Sequence, residues 1–173
     1  MARYITSDQH FGHYNIINYT KRPYKTVDEM NETLIDNYNK IISNDDICCF
    51  LGDFAWGNTT MVKNILAQLN GYKILILSYH DKHKPRKFWH EVGFDDVING
   101  SIIWDKNFIL SHEPVDFSLG DGFVNIHGHL HTKELQDERY YNACVELNQY
   151  QPVSFDSIKS LYLIEEMEIE ETE

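Results

Sequence analysis

Basic residues are scarce in this chain. Fifteen Lys and Arg face 27 Asp and Glu, a formal charge of -12, and the field of such a surface repels polyanions. Stable binding to duplex nucleic acid, or to an anionic membrane surface, is therefore not expected. A small phosphorylated substrate is not excluded on these grounds. Cysteine is equally sparse: Cys48, Cys49 and Cys144 make an odd count without a CxxC spacing. A disulfide framework or zinc knuckle is thereby disfavoured, and the three read as small buried residues in a reducing compartment. No run approaches the roughly 18 to 20 apolar residues of a membrane span. The start MARYITSDQH lacks the charged, apolar and small-residue segments of a signal peptide. The expectation is a soluble cytoplasmic protein with no membrane partner. Repeats, low-complexity linkers and Ser/Pro-rich boundaries are also missing, so a single domain is expected over residues 1–164.

What is present suffices for an ordinary core. At 173 residues and 42% hydrophobic composition, a chain of this size can bury roughly 70% of its unfolded surface. The last nine residues, 165–173, hold six glutamates and no basic residue, and read as a solvated acidic tail. Without them the balance is 21 acidic against 15 basic residues, so half of the net charge belongs to the tail.

Short β-branched and apolar runs predict strands at Arg3 to Thr6, Ile47 to Leu51, Tyr72 to Leu77, Phe108 to Leu110 and Phe123 to Ile126. In the second of these, Cys48 and Cys49 should point to opposite faces. Apolar positions Val27, Met30, Leu34, Tyr38 and Ile41 recur at helical spacing. Further helices are expected from Thr60 to Leu69, after Pro85 to Gly93, and from Ser154 toward Leu163. Strands alternating with helices, then a strand-rich second half, indicate an α/β fold with a second sheet.

Each of the five predicted strands is followed within a few residues by a side chain able to bind metal: Asp8 and His10, Asp53, His80, His112, then His129 and His131. In α/β proteins functional groups gather beyond the carboxyl ends of strands, so these distant segments can converge. Two aspartates with histidines form the mixed oxygen and nitrogen set that suits divalent Mn, Fe or Zn rather than Mg or Ca. Asp53, alone on its loop, is the best candidate to bridge two ions and so to hold an acidified water between them. The absence of thiolate from the set disfavours a structural zinc site.

Asp8-Gln9-His10, Gly52-Asp53-Phe54, Ser78-Tyr79-His80-Asp81, Ser111-His112 and Gly128-His129-Leu130-His131 resemble, in order and spacing, the five motifs of the calcineurin-like metallophosphoesterases. Their pattern is DxH, GDxx, GNH followed by an acid, a lone His, and GHxH. The strings Ser7 to His13 and Arg22-Pro23-Tyr24 resemble the small capless bacterial and phage branch. The resemblance implies a four-layer αββα sandwich with two mixed sheets, the metallo-dependent phosphatase fold. It implies two divalent transition ions, Mn foremost, with Fe, Zn or Ni as alternatives. Asp8, His10 and His131 would take one, His112 and His129 the other, with Asp53 bridging. His80 would protonate the leaving oxygen or stabilise the phosphoryl charge, and Asp81 would orient its ring.

One motif departs from the pattern. Ser78-Tyr79 stands where the family has Gly-Asn, and that Asn is a ligand of the second metal. Either water takes the vacant position, which is the favoured outcome, or Tyr79 swings outward as a stacking surface for substrate, or the second site is impaired. Two basic islands, at Lys21, Arg22 and Lys25 and at Lys82, Lys84, Arg86 and Lys87, flank the motifs. Arg22 is expected to grip substrate phosphate through its planar fork, and His13 to contact it or a metal ligand. With no room for a cap domain, the expected activity is hydrolysis of nucleotide-type, even cyclic, phosphodiesters. The alternatives are a phosphomonoesterase, a nucleotide pyrophosphatase, or a catalytically weakened metal-binding scaffold.

Overall fold

The computed structural model describes residues 1–117 and 122–170, with side chains through Tyr162. The first sheet is built on three parallel strands, β1 (Arg3–Thr6), β2 (Ile47–Phe50) and β3 (Tyr72–Ile76), with β4 (Asp96–Ile98) parallel at one edge. The second sheet consists of β5 (Ile102–Asp105), β6 (Phe108–Leu110), β7 (Val124–His127) and β8 (Tyr140–Asn142) in that order. There β5 is antiparallel to β6, while β6, β7 and β8 run parallel. The two-residue β9 (Val153–Ser154) returns antiparallel to β1 and completes the first sheet in the order β4-β3-β2-β1-β9. The chain is thus an α/β protein with two mixed sheets.

Period-two alternation of apolar side chains on both faces explains why the first sheet is covered twice. Ile5, Cys49, Leu51, Ile74 and Ile76 face the second sheet and share a core with Phe108, Leu110 and Ile126. Cys48, Phe50, Leu75 and Leu77 face the other way, into the helices. The two adjacent cysteines therefore occupy opposite cores, as their place in a strand requires, and all three cysteines are free and buried. On the helical side lie α1 (Tyr14–Tyr19), α2 (Val27–Ile41), α3 (Thr59–Leu66) and α4 (Arg86–Val92). Thr26 caps α2 by accepting a hydrogen bond from the Glu29 amide, and Asn58 caps α3 through the Met61 amide, each such cap contributing about 1 kcal/mol. The last helix, α5 (Phe155–Glu170), sends Phe155 and Ile158 into the core between the sheets.

Four strands escape the sequence pattern. β4, β5 and β8 are short and carry Asp96, Asp105 and Asn142, and β9 spans only two residues. The helix after Asn58 stops at Leu66, three residues earlier than expected, and α5 outruns Leu163 to Glu170. The acid-rich segment up to Glu170 continues the α5 backbone, and residues 171–173 of the expected tail lie outside the described residues. No helix among the described residues is long and apolar enough to cross a membrane.

Candidate metal centre

All the expected metal ligands follow strand carboxyl ends. β1, β2 and β3 run parallel, as do β6 and β7, so the loops after them open on common edges. Backbone hydrogen bonds then lock the loops side by side. Asp8 N donates to Gly52 O, His10 N to Asp53 O, Gly128 N to His112 O and Val145 N to Ser7 O. An isolated parallel bridge between Ser7 and Cys144 ties the two sheets together at this edge.

Donor atoms meet in two groups that share Asp8: Asp8, His10 and His131, and Asp8, Asp53 and His112. His10 Nε2 lies 3.8 Å from Asp8 Oδ1 and 3.4 Å from Asp53 Oδ2. His131 Nε2 lies 3.9 Å from Asp8 Oδ1, and His112 Nε2 lies 3.9 Å from Asp53 Oδ2. Asp53 Oδ2 thus sits between a histidine of each group, where a bridge belongs. His129 extends the second group, its Nδ1 standing 3.3 Å from His112 Nε2. Most of these separations are too long for hydrogen bonds yet suit atoms arranged about a common ion, since ligands ~2.1 Å from one metal stand roughly 3 Å or more apart. Asp8 Oδ1, His10 Nε2 and Asp53 Oδ1 are buried without any hydrogen-bond partner. Groups of this kind cost a few kcal/mol each if left so. Two carboxylates and four imidazoles, with three of their atoms so orphaned, fit divalent cations of the transition series.

The backbone is bent toward the same end. Asp8, His10, Asp53, His129 and His131 all have positive φ, between 50° and 69°. A non-glycine residue there costs on the order of 1 kcal/mol or more and persists only where surrounding contacts impose it. Five of the six candidate ligands share this conformation, and sequence reasoning did not find it. Gly128 explains part of the crowding, because a Cβ at that position would collide with Ser7 Oγ and Asp8 Oδ2. Gly52, at φ 93°, would place a Cβ 2.8 Å from His112 Nδ1.

Neighbouring groups decide which atom each ligand presents. Asp8 Oδ2 accepts from Ser7 Oγ, His129 N and Cys144 Sγ, which leaves Oδ1 for the site. Burial and the Asp8 carboxylate push the Cys144 thiol up, so it stays a donor. His112 Nδ1 donates to Leu51 O at 2.7 Å and His131 Nδ1 faces Glu146 Oε1 at 3.0 Å, so both rings turn Nε2 inward. Burial, then the Arg22 charge, push His10 well below the usual imidazole range, which keeps it neutral with a lone pair free. For His131 burial acts downward, but the Glu146 hydrogen bond and the charges of Asp8 and Glu146 outweigh it and the net shift is upward. Glu146 was not anticipated. The only signal for it was a lone acid in the otherwise apolar run Ala143 to Leu147.

Two expectations are corrected. Arg22 does not reach toward substrate: its side chain is fully buried, donating to the carbonyls of Asp8 and Gln9 and, through Nε and Nη2, to Glu146 Oε1. A guanidinium satisfies several carbonyls at once, and here it clamps the strained first loop. Asp81 does not orient His80. Its carboxylate is buried and accepts from the amides of Asp53, Phe54 and Ser78, which fastens the bridge loop. Tyr79 points outward, 68% exposed, with its ring against His80 and His83.

His80 is exposed at the start of a 3₁₀ turn over Asp81–His83, its ring 5.9 Å from that of Trp56. His13 caps α1 by accepting from Ile16 N through Nδ1, and its ring lies 5.6 Å from that of His10. Of the second basic island, Lys82 lines a groove beside His112, Lys84 lies over Phe88 and Lys87 pairs with Glu91.

Comparison with known proteins places this geometry in a lineage. The chain is 36% identical over 169 residues to an uncharacterized protein, MJ1445, of Methanocaldococcus jannaschii, over 91% of this chain and 89% of that one. It belongs to that protein's family. Among solved structures, the crystal structure of a protein of unknown function, AQ665, from Aquifex aeolicus matches with a TM-score of 0.72 and 25% identity, covering 92% of this chain and 98% of that one. No family model matches the chain. The name of neither relative states a reaction.

Proposed function

We propose that the chain is a two-metal phosphoesterase hydrolysing phosphodiesters, and that its two mixed sheets are the inner layers of the αββα metallo-dependent phosphatase sandwich. The observation that carries this reading is the convergence of unpartnered Asp8 Oδ1, His10 Nε2 and Asp53 Oδ1 within two donor groups sharing Asp8. Asp8, His10 and His131 would hold one divalent ion, Asp53, His112 and His129 the other, with Asp53 reaching both. Ions held there would acidify a water and neutralise charge on the phosphoryl oxygens.

The chain's own groups supply the rest. Arg22, Glu146, Asp81 and the Leu51 carbonyl hold the ligands in place. His80 stands exposed at the rim with a ring able to give a proton to a departing alkoxide. Tyr79, turned out, adds no oxygen to the second group, and this favours a weaker second ion as the variant reading.

Mn²⁺-dependent hydrolysis of bis-p-nitrophenyl phosphate is the test. Asp53→Ala should abolish turnover, and His80→Ala should lower it by roughly 100-fold, within the usual range for an acid catalyst. Activity unchanged in Asp53→Ala would overturn the proposal.

A further inference from the structure

Beside the metal centre lies a cavity of about 350 Å³ whose floor is apolar and whose rim is not. Val62 and Trp89 are buried in its floor with Phe88 half-buried, while Trp56, His80, His83 and Lys84 stand exposed around its mouth. His80 belongs to both the cavity and the candidate site, so a group seated here is adjacent to whatever reacts there. The Trp56 indole is the hinge between the two, with its ring 5.3 Å from His13 and 5.9 Å from His80. It is 55% exposed, an uncommon state for tryptophan.

Of the five exposed aromatics among the described residues, four follow strand ends at the site: Tyr14 and Tyr19 after β1, Trp56 after β2 and Tyr79 after β3, while Tyr72 opens β3. Large exposed rings carry an apolar penalty that a ligand with a flat face removes by stacking, as bases do on aromatic side chains. The cavity lies near the lower end of the roughly 300 to 1,000 Å³ typical of small-molecule sites, enough for one ring system and too little for a run of nucleotides. A purely aliphatic group would gain nothing from the nitrogen-bearing rim of Trp56, His83 and Lys84, whereas the ring nitrogens and carbonyls of a nucleobase are acceptors for it.

We infer that this cavity is a nucleobase subsite, with the base stacked on Trp56 over the Val62 and Trp89 floor and its phosphate directed to the metal centre. The inference rests on the phosphoesterase reading for the position of the phosphate and narrows the substrates to nucleotide esters.

Isothermal titration calorimetry of the full chain in Mn²⁺ buffer, with adenosine 5′-monophosphate and ribose 5-phosphate as ligands, tests it. The adenine nucleotide should bind about 10-fold more tightly than the baseless sugar phosphate, and Trp56→Ala should erase that preference while leaving ribose 5-phosphate affinity unchanged. Trp56→Phe, which keeps a ring, should retain most of it. Equal affinity of the two ligands for the unaltered protein, or a preference that survives Trp56→Ala, would overturn the subsite. Hydrolysis of bis-p-nitrophenyl phosphate by the same unaltered preparation separates the two ideas. Hydrolysis without base preference rejects the cavity alone, and base preference without hydrolysis supports the cavity and rejects the reaction.

Discussion

Glu146 holds the two arms of the centre together. One oxygen, Oε1, takes hydrogen bonds from Arg22 and from His131, while Oε2 is buried with no partner. Its net shift is downward: burial opposes ionisation, but the His131 hydrogen bond and the Arg22 charge prevail. The carboxylate therefore raises the basicity of His131 and fixes its ring. Glu146→Gln keeps an acceptor and removes the charge, so Mn²⁺ affinity should fall by about 10- to 100-fold, the usual effect of losing a ligand's hydrogen-bonding partner. Calorimetric titration with Mn²⁺ reads this directly, and an unchanged dissociation constant would show that His131 is positioned by its backbone alone.

At the scale of elements, the loop after β1 is held in a shape its residues do not choose. Asp8 and His10 lie in the left-handed region, and the guanidinium of Arg22 is what satisfies the carbonyls of Asp8 and Gln9 between them. Arg22→Met removes these bonds and leaves Glu146 buried without its cation, which should destabilise the fold by about 3 to 5 kcal/mol. Urea unfolding measures it. A loss under about 1 kcal/mol would mean the loop holds itself.

The five strands that position the site could be read from the sequence because each carries a short cluster of β-branched, aromatic or cysteine side chains, largely buried, and the ligands could be read because they follow those runs within a few residues. Arg22 and Asp81 could not be assigned correctly. A charged side chain near a motif gives no sign in sequence of whether it turns outward to ligand or inward to carbonyls and amides, since that depends on partners brought in by the fold, Glu146 for Arg22 and the amides of the Asp53 loop for Asp81. The left-handed ligands were equally hidden, because Asp and His show no preference strong enough to betray them.

For the molecule as a whole, the proposed ions would link binding to folding. Ions that bind only the native centre stabilise it in proportion to their concentration over the dissociation constant. Mn²⁺ at a hundred times that constant contributes about 2.7 kcal/mol. For a chain of this length this should raise the melting temperature by roughly 5 to 10 °C, reversed by EDTA. Differential scanning calorimetry with and without the metal checks this, and a melting temperature indifferent to Mn²⁺ would remove the basis for a metal centre.

The antiparallel return of β9 beside β1 also orders events in time. β1 sits inside its sheet, flanked by β2 and by β9, which follows it by about 150 residues, and the groups that steady Asp8 include Cys144 and His129. A ribosome emits Asp8 and Asp53 long before these partners exist. The donor cluster is therefore completed only after Cys144 has been made, and Asp8 and Asp53 wait for their partners through most of the described chain.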